Sequence, residues 1–413
     1  MAVQRKCEFR LYPSVKQTAA LLAQAEVCRQ VYNWALSSRR WYFAEWGVTR
    51  GYADQCRDLT QARAGKPQWQ TVHTHALQGA LKRLDLAFQH FFRRCKSGEK
   101  PGFPRFKSKD WFSGFGYKEH GNGWRLEPGG KAVKLAGIGR VSLRGHARFD
   151  LDHPTTCEIV QRAGKWYLSI TFTVSALPVR ERTGEALSGL DWGLETFATI
   201  ANHDGSHEEV ANPRHLRCAL GELARRQKAL ARGRRGSKRR AKLKARVADL
   251  HEKIRRRRQD FLHKTTAKLA ASRRVIAVEK LSPKAMSSAG GAHKKGLNRE
   301  ILAASAGAFH SMLHCKAQEA GCAIVEVDPR KHKPSQTDSV SGEVRKKKLS
   351  ERRHTLPDGS VISRDLNAAR NLLNFAVAHA AATAVESAAG GLGAALVAPL
   401  DSAKPRSYRL IAA

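Results

Sequence analysis

Three acidic residues stand in apolar settings where acids are costly. Asp191 lies inside SGLDWGLETFATI (188–200), Glu279 closes the apolar run RVIAVE, and Asp365 opens SRDLNAARNLL. A buried carboxylate without a partner is expensive. Carboxylate oxygens suit Mg²⁺, a hard cation. Two such ions, about 3.5–4 Å apart and bridged by Asp191, could drive an in-line attack on a phosphodiester. Mn²⁺ could serve in the same place. Each acid also has a plainer reading: a turn for Asp191, a pair with Lys280 for Glu279, a helix N-terminus for Asp365. Their order favours a joint role: strand acid, long basic helical insertion, strand-end acid, helix acid. Arg364 and Asn367 lie near enough in sequence to support such a site.

The rest of the chain points to a polyanion. Of 413 residues, 74 are Lys or Arg and 36 are Asp or Glu, a net charge of +38. Solubility needs far less. Residues 214–274 concentrate the excess, with 23 Lys/Arg against 4 acids. Arg234, Arg235, Arg239, Arg255, Arg256, Arg257, Arg258, His263 and Lys264 are candidate phosphate contacts there. In KSGEKPGFPRFKSKDWF, Arg105, Lys107 and Lys109 interleave with Phe103, Phe106, Trp111 and Phe112. That mix suits phosphate binding and base stacking, and equally a loop whose aromatics pack on the core. Eight cysteines without a Cys-x-x-Cys pair, and no secretory signal, predict free thiols in a reduced cytoplasm. No apolar run reaches the roughly 18 residues of a membrane span, so no membrane is expected.

The elements that must position these residues are legible in outline. Residues 1–10 predict a strand, 14–48 a helix, and about 72–94 a second helix with Leu77, Leu81, Leu84 and Phe88 on one face. Residues 115–178 alternate as strands with glycine turns. They predict a small antiparallel barrel completed by the N-terminal strand, with the helices as an insertion. LSGLDWG, ETFATIANHD, RVIAVEKL and CAIVEVDP predict further strands. Two apolar stripes in 214–274, parted by GRRGS, predict a helical hairpin. Residues 282–298 read as a glycine-rich lid, 299–321 as helix, and 364–375 as a short helix. Beyond 376 the chain reads as at most partly helical. The order of strands, basic insertion and late acidic helix matches an RNase H-like plan.

Several motifs, in this order, resemble TnpB, the transposon-encoded RNA-guided nuclease, and the miniature type V CRISPR effectors. They are FRLYPSVKQ, RQVYNWAL, HALQGALKRLDLAFQHFF, KPGFPRFKSK, GLDWGLETFATI, RRRQDFLHKTTAKL, VIAVEKL, and KPSQT followed by RDLNAARNLL. The resemblance implies an α+β multidomain chain. A wedge β-barrel (1–13 and 115–180) would hold a helical recognition domain (14–114). A RuvC domain of the RNase H-like kind (181–328 and 363–375) would follow, with a basic helical hairpin inserted, a target-loading insertion (329–362) and a flexible tail (376–413). It implies an omega or crRNA-type guide RNA, a double-stranded DNA target with a short flanking motif, and Asp191, Glu279 and Asp365 as the catalytic triad. The flanking motif would be read around His75, Gln78 and Lys82, since glutamine can pair bidentately with adenine. A monomer is favoured.

One departure stands out. Relatives carry a four-cysteine zinc ribbon before the last catalytic Asp, whereas the corresponding positions here are Asp338, Ser341, Thr355 and Asp358. These cannot replace thiolates around a structural zinc, so no zinc is expected. A guide-programmed DNA binder with little or no cleavage, and a structural RNA-binding protein, are the competing readings.

Overall fold

The computed structural model describes residues 3–112, 114–145, 153–174, 181–288, 290–292, 294–348 and 351–389. It divides into two compact units, Met1–Val179 with His215–Gln259, and Arg180–Arg214 with Asp260–Ala413.

The first unit opens with β1 (Val3–Tyr12) and four helices: α1 (Val15–Trp46), α2 (Tyr52–Ala64), α3 (Pro67–Gln70) and α4 (Thr74–Lys96). Six strands follow: β2 (Gly114–Tyr117), β3 (Trp124–Leu126), β4 (Ala132–Leu135), β5 (Gly139–Arg144), β6 (Pro154–Arg162) and β7 (Lys165–Val174). All seven strands form one antiparallel sheet in the order β2-β6-β7-β1-β5-β4-β3. The N-terminal strand lies mid-sheet, paired with β7 from Val3↔Val174 to Leu11↔Trp166 and with β5 at Arg10↔Arg144. The sheet is curled, and no ladder joins its short edge strands β2 and β3 among the described residues. A capping box starts α1: Ser14 Oγ accepts the Gln17 N–H at 3.2 Å, and Gln17 Oε1 accepts the Ser14 N–H at 2.9 Å. Gly47, at φ 64°, ends it. Leu21, Val31 and Ala35 of α1 and Leu77, Leu81 and Leu84 of α4 share one core with Phe9, Leu11, Ile159, Leu168 and Phe172 of the sheet. The sequence reading missed α2 and α3, whose buried anchors are few: Leu59 and Trp69. The basic segment is a hairpin of α5 (His215–Arg232) and α6 (Lys238–Ser272), with Leu223 packed on Leu250 and Ile254.

The second unit carries β8 (Ala186–Trp192), β9 (Thr196–Asn202), β10 (His207–Ala211) and β11 (Arg273–Glu279). Helices α7 (Pro283–Met286), α8 (Lys294–Ala304) and α9 (Ala306–Ala320) lead to β12 (Ala323–Val327) and α10 (Pro329–His332). A small hairpin, β13 (Arg353–Thr355) with β14 (Val361–Ser363), precedes α11 (Arg364–Ala389). The main sheet has the order β10-β9-β8-β11-β12. Its first three strands form an antiparallel meander, while β8, β11 and β12 run parallel.

Strand side chains alternate between faces. Leu190, Ile276 and Val278 face one core with Phe197, Leu262, Phe309 and Leu313. Val275 and Ala277 face the other, against Leu372, Ala376 and Ala380 of α11. That burial carries α11 past 375, where the sequence reading ended the helix and expected a tail at most partly helical; the helix ends at Ala389. Residues 390–413 of that tail lie outside the described residues. The segment read as a lid, 282–298, contains α7 and the start of α8. At the N-terminal ends of the strands, buried Arg273 donates to Ser188 Oγ at 2.9 Å and to Glu208 Oε1 at 2.7 Å, tying β11 to β8 and β10.

In the first unit, α6 is fastened to β7 by a buried carboxylate. Glu252 accepts from Arg255 at 2.7 and 2.8 Å, from Arg256 Nε at 3.0 Å and from the Tyr167 hydroxyl at 3.3 Å. Burial alone would raise its pKa, but the two guanidinium groups outweigh this and pull it down to about 2. A depressed carboxyl stabilises the fold above its unfolded value of about 4.3. That contribution, about 3 kcal/mol, is lost as pH falls from there through about 2. Thermal melts of the wild type between pH 5 and 2 should therefore fall more steeply than those of Glu252→Gln, which should already be destabilised by about 3 kcal/mol at pH 7.

Candidate active site and nucleic-acid interface

Strand parity places the first two acids. Gly189 and Asp191 point to the face of the sheet that α11 covers, and so do Val275, Ala277 and Glu279. The β8–β11 register pairs Leu190 with Val278. Asp191 and Glu279 follow one step on, at the C-terminal ends of adjacent parallel strands. Asp365 enters from the first turn of α11, on the same face. A Cβ built on Gly193 would meet Asp365 Oδ2 at 4.0 Å, which puts that carboxylate against the turn after β8.

Close packing makes the meeting possible. A Cβ at Gly189 would lie 2.1 Å from the Ala369 carbonyl oxygen and 2.2 Å from the Leu373 nitrogen. Only glycine lets the helix backbone come so near the strand. Ala368 and Ala369, both fully buried, keep the helix face equally thin.

The electrostatics are those of crowded like charges. Burial first, then the carboxylates of Glu279 and Asp365, push Asp191 well above the usual carboxylate range. The Arg364 guanidinium and the Trp192 N–H work against that rise. Burial raises Glu279 too, with Arg364 again opposing. All three acids are half-buried, so solvent still reaches them. Half-buried carboxylates with a charge deficit fit Mg²⁺, whose own charge would reverse this pKa pattern. They do not form a closed cage: among the described residues no three His, Cys, Asp or Glu side chains are arranged to hold an ion.

The supporting residues differ in what they do. Arg364 bears on the acids and also donates to Ser335 Oγ at 3.2 Å and the Lys348 carbonyl at 3.0 Å. Asn367 is fully buried and committed elsewhere. Its Oδ1 accepts the Ser339 N–H at 3.0 Å and its Nδ2 donates to the Thr337 carbonyl at 2.7 Å. It anchors the 329–362 insertion and is not aimed at an ion. Asn371, one turn on, donates to the Pro334 and Thr337 carbonyls at 2.8 and 2.7 Å. The sequence reading passed over Asn371 and Gly189. The Asn-x-x-x-Asn spacing, a polar stripe on an otherwise apolar helix face, was the available signal.

The basic candidates divide between free surface and internal work. Arg105, Lys109, Arg234, Arg235, Arg239 and Arg257 are exposed. Arg255 and Arg256 are bound to Glu252 and so are matched by an internal acid. Arg258 is half-buried, and burial lowers its pKa. Lys107 is half-buried, its backbone pinned to Asn33 and Arg29 of α1. Gln78 accepts from Lys118 at 2.9 Å, Lys82 pairs with Asp85 at 3.2 Å, and His75 is half-buried beside His73. In the second unit, Lys264 pairs with Asp260 at 2.9 Å, and the carbonyl of half-buried His263 accepts from Lys316.

A testable consequence follows from the raised value of Asp191. A carboxyl with a raised folded-state pKa favours the fold while protonated, and that contribution is lost as pH rises above its unfolded value. Asp191→Asn should therefore stabilise the metal-free protein at neutral pH by about 1 kcal/mol. Thermal melts in EDTA should show the variant higher, and added Mg²⁺ should raise the wild type more than the variant.

Similarity to known proteins follows the same lines. A family model described as a probable transposase matches residues 169–289, and one described as a Cas12f1-like TNB domain matches 307–372. A third, described as a helix-turn-helix domain, matches 1–47, where the structure has β1 and the single helix α1. The chain is 30% identical over 387 residues to a Streptomyces pristinaespiralis protein named "Putative RNA-guided DNA endonuclease", covering 92% of this chain and 91% of that one. It is 29% identical to "Putative RNA-guided DNA endonuclease InsQ" of Escherichia coli, over 71% of this chain and 73% of that one. Its fold is similar to that in the solved Cas12f1–sgRNA–target DNA complex, with a TM-score of 0.55 at 12% identity, over 90% of this chain and 99% of that one. Shared sequence along nearly the whole length places this chain in the TnpB-like family of RNA-guided DNA endonucleases.

Proposed function

We propose that the protein is an RNA-guided DNA endonuclease that cuts DNA in one Mg²⁺-dependent, RuvC-type site. The observation that carries this reading is the convergence of Asp191, Glu279 and Asp365 on one face of the β8–β11 sheet. Its strand order, an antiparallel meander followed by two parallel strands, is that of an RNase H-like domain, which supports the assignment.

Asp191, Glu279 and Asp365 would hold the ions. Bound Mg²⁺ would supply an activated water and stabilise the leaving oxygen. Arg364 balances part of the acidic charge and keeps the first turn of α11 in place. Buried Trp192 and Phe197 pack with Leu190 and Phe309 in the core on the opposite face of the sheet and hold β8 and β9 in place. The guide RNA would supply sequence by base pairing, so the protein need read only backbone and helical shape. That division of labour suits a chain of net charge +38. The exposed cations of the α5–α6 hairpin suit backbone phosphates. Action on DNA in the bacterial cytoplasm fits a chain in which no described helix is long and apolar enough to cross a membrane.

A binder without cleavage is the second reading, and the altered insertion before Asp365 is what favours it. The two are separated by incubating the guide-loaded protein with target plasmid and Mg²⁺. Asp191→Ala should cut at least about a hundredfold more slowly while retaining target in a gel shift. Equal inertness of wild type and variant, with binding intact, would leave only the binder. Guide affinity should also fall with salt. Replacing Arg234, Arg235, Arg239 and Arg257 with Ala should flatten the log–log salt slope by about 3, at about 0.7 per lost single-strand phosphate contact. An unchanged slope would remove the hairpin from the guide-binding surface.

A further inference from the structure

The four positions that correspond to zinc-ribbon cysteines do other work here. Asp338 Oδ1 accepts the N–H groups of Val340 and Ser341 at 2.9 and 2.8 Å. Asp358 Oδ1 accepts the N–H and hydroxyl of Ser360 at 2.9 and 2.7 Å. Thr355 is paired with Val361 in the β13–β14 hairpin. Hard oxygens already engaged in turns do not fit a tetrahedral zinc built on thiolates.

Something else ties the two turns together. His354 of β13 is 3% exposed and Asp338 is 5% exposed. His354 Nε2 lies 2.5 Å from Asp338 Oδ2. The Lys347 amine contacts the other ring nitrogen, Nδ1. An ammonium on Nδ1 leaves the ring proton on Nε2, facing the carboxylate. This is a buried, charge-assisted hydrogen bond joining chain segments 16 residues apart.

The fastening reaches the acids through backbone. The Asp338 turn offers the Ser339 N–H and the Thr337 carbonyl to Asn367, and Thr337 and Pro334 carbonyls to Asn371. On the β13 side, the Arg364 N–H donates to the Arg352 carbonyl at 2.9 Å. The first two turns of α11 are thus held from both ends of the insertion.

We propose that Asp338 and His354 take the place of the structural metal, as positioning residues that keep Arg364 and Asp365 beside Asp191 and Glu279. Neither touches substrate. The proposal deepens the nuclease reading and rests on it for its effect on cleavage, though not for its effect on structure.

The test uses the full-length protein with its guide. Elemental analysis of the wild type should find no stoichiometric zinc; one zinc per chain overturns the proposal. In His354→Ala, hydrogen exchange should quicken at 338–342 and 364–368 and stay unchanged in β1 and β7. Single-turnover cleavage should fall about 10- to 100-fold, the usual effect of losing a supporting partner, with target binding unchanged. His354→Gln, which can present its amide nitrogen where Nε2 stands, should recover part of the rate. Wild-type exchange at those amides in His354→Ala, or faster exchange throughout the molecule, overturns the proposal. So does a loss of binding that matches the loss of cleavage. A wild type that does not cut would sink the nuclease reading alone, because zinc content and exchange still decide this one.

Discussion

Helix α11 can deliver Asp365 to the strand that carries Asp191 because position 189 has no side chain. The Ala369 carbonyl and the Leu373 nitrogen occupy the volume that any Cβ there would need. The cost of crowding three carboxylates is then met by apolar burial further along the same helix. Leu372, Ala376 and Ala380 pack on Val275, Ala277 and Val327, away from the acids. Each buried methylene contributes about 0.8 kcal/mol, enough in sum to hold repelling groups together. Active sites commonly store such strain against a well-packed scaffold.

Positive charge poses the opposite problem in the first unit. The α5–α6 hairpin has few acids to balance its cations, so its own repulsion works against folding. The structure answers locally. Arg226 and Arg240 donate to backbone carbonyls of the hairpin, and Arg255 and Arg256 converge on Glu252. Part of the basic run is therefore internal scaffolding. What remains exposed is a smaller set, including Arg234, Arg235, Arg239 and Arg257, and this is the set available to a polyanion.

Thiolates and metal are one way to pin an irregular insertion; buried polar pairs are another. The 329–362 insertion uses the second. An Asp–His bond and two asparagines on α11 satisfy turns that a purely apolar helix face would leave unpaired. None of the eight cysteines is in a disulfide, and none lies in this segment. The segment is held by one buried bond within itself, between Asp338 and His354, and by others to Asn367 and Asn371 of α11.

Local pattern carried much of the reading. Period-2 alternation marked β1 and β7, short apolar stretches marked β8 and β11, helical spacing marked α1, α4 and the α5–α6 hairpin, and the misplaced acids marked the candidate site, because an acid in an apolar run is a local anomaly. Tertiary structure alone decided the rest. The extension of α11 past 375 depends on burial of small alanines whose partners lie in β11 and β12. The internal engagement of Arg255, Arg256 and Asn367 depends on Glu252, Tyr167 and the Ser339 backbone meeting them. A residue's own type states which bonds it can form; which partner arrives is set by long-range packing, and that information is spread over the whole chain.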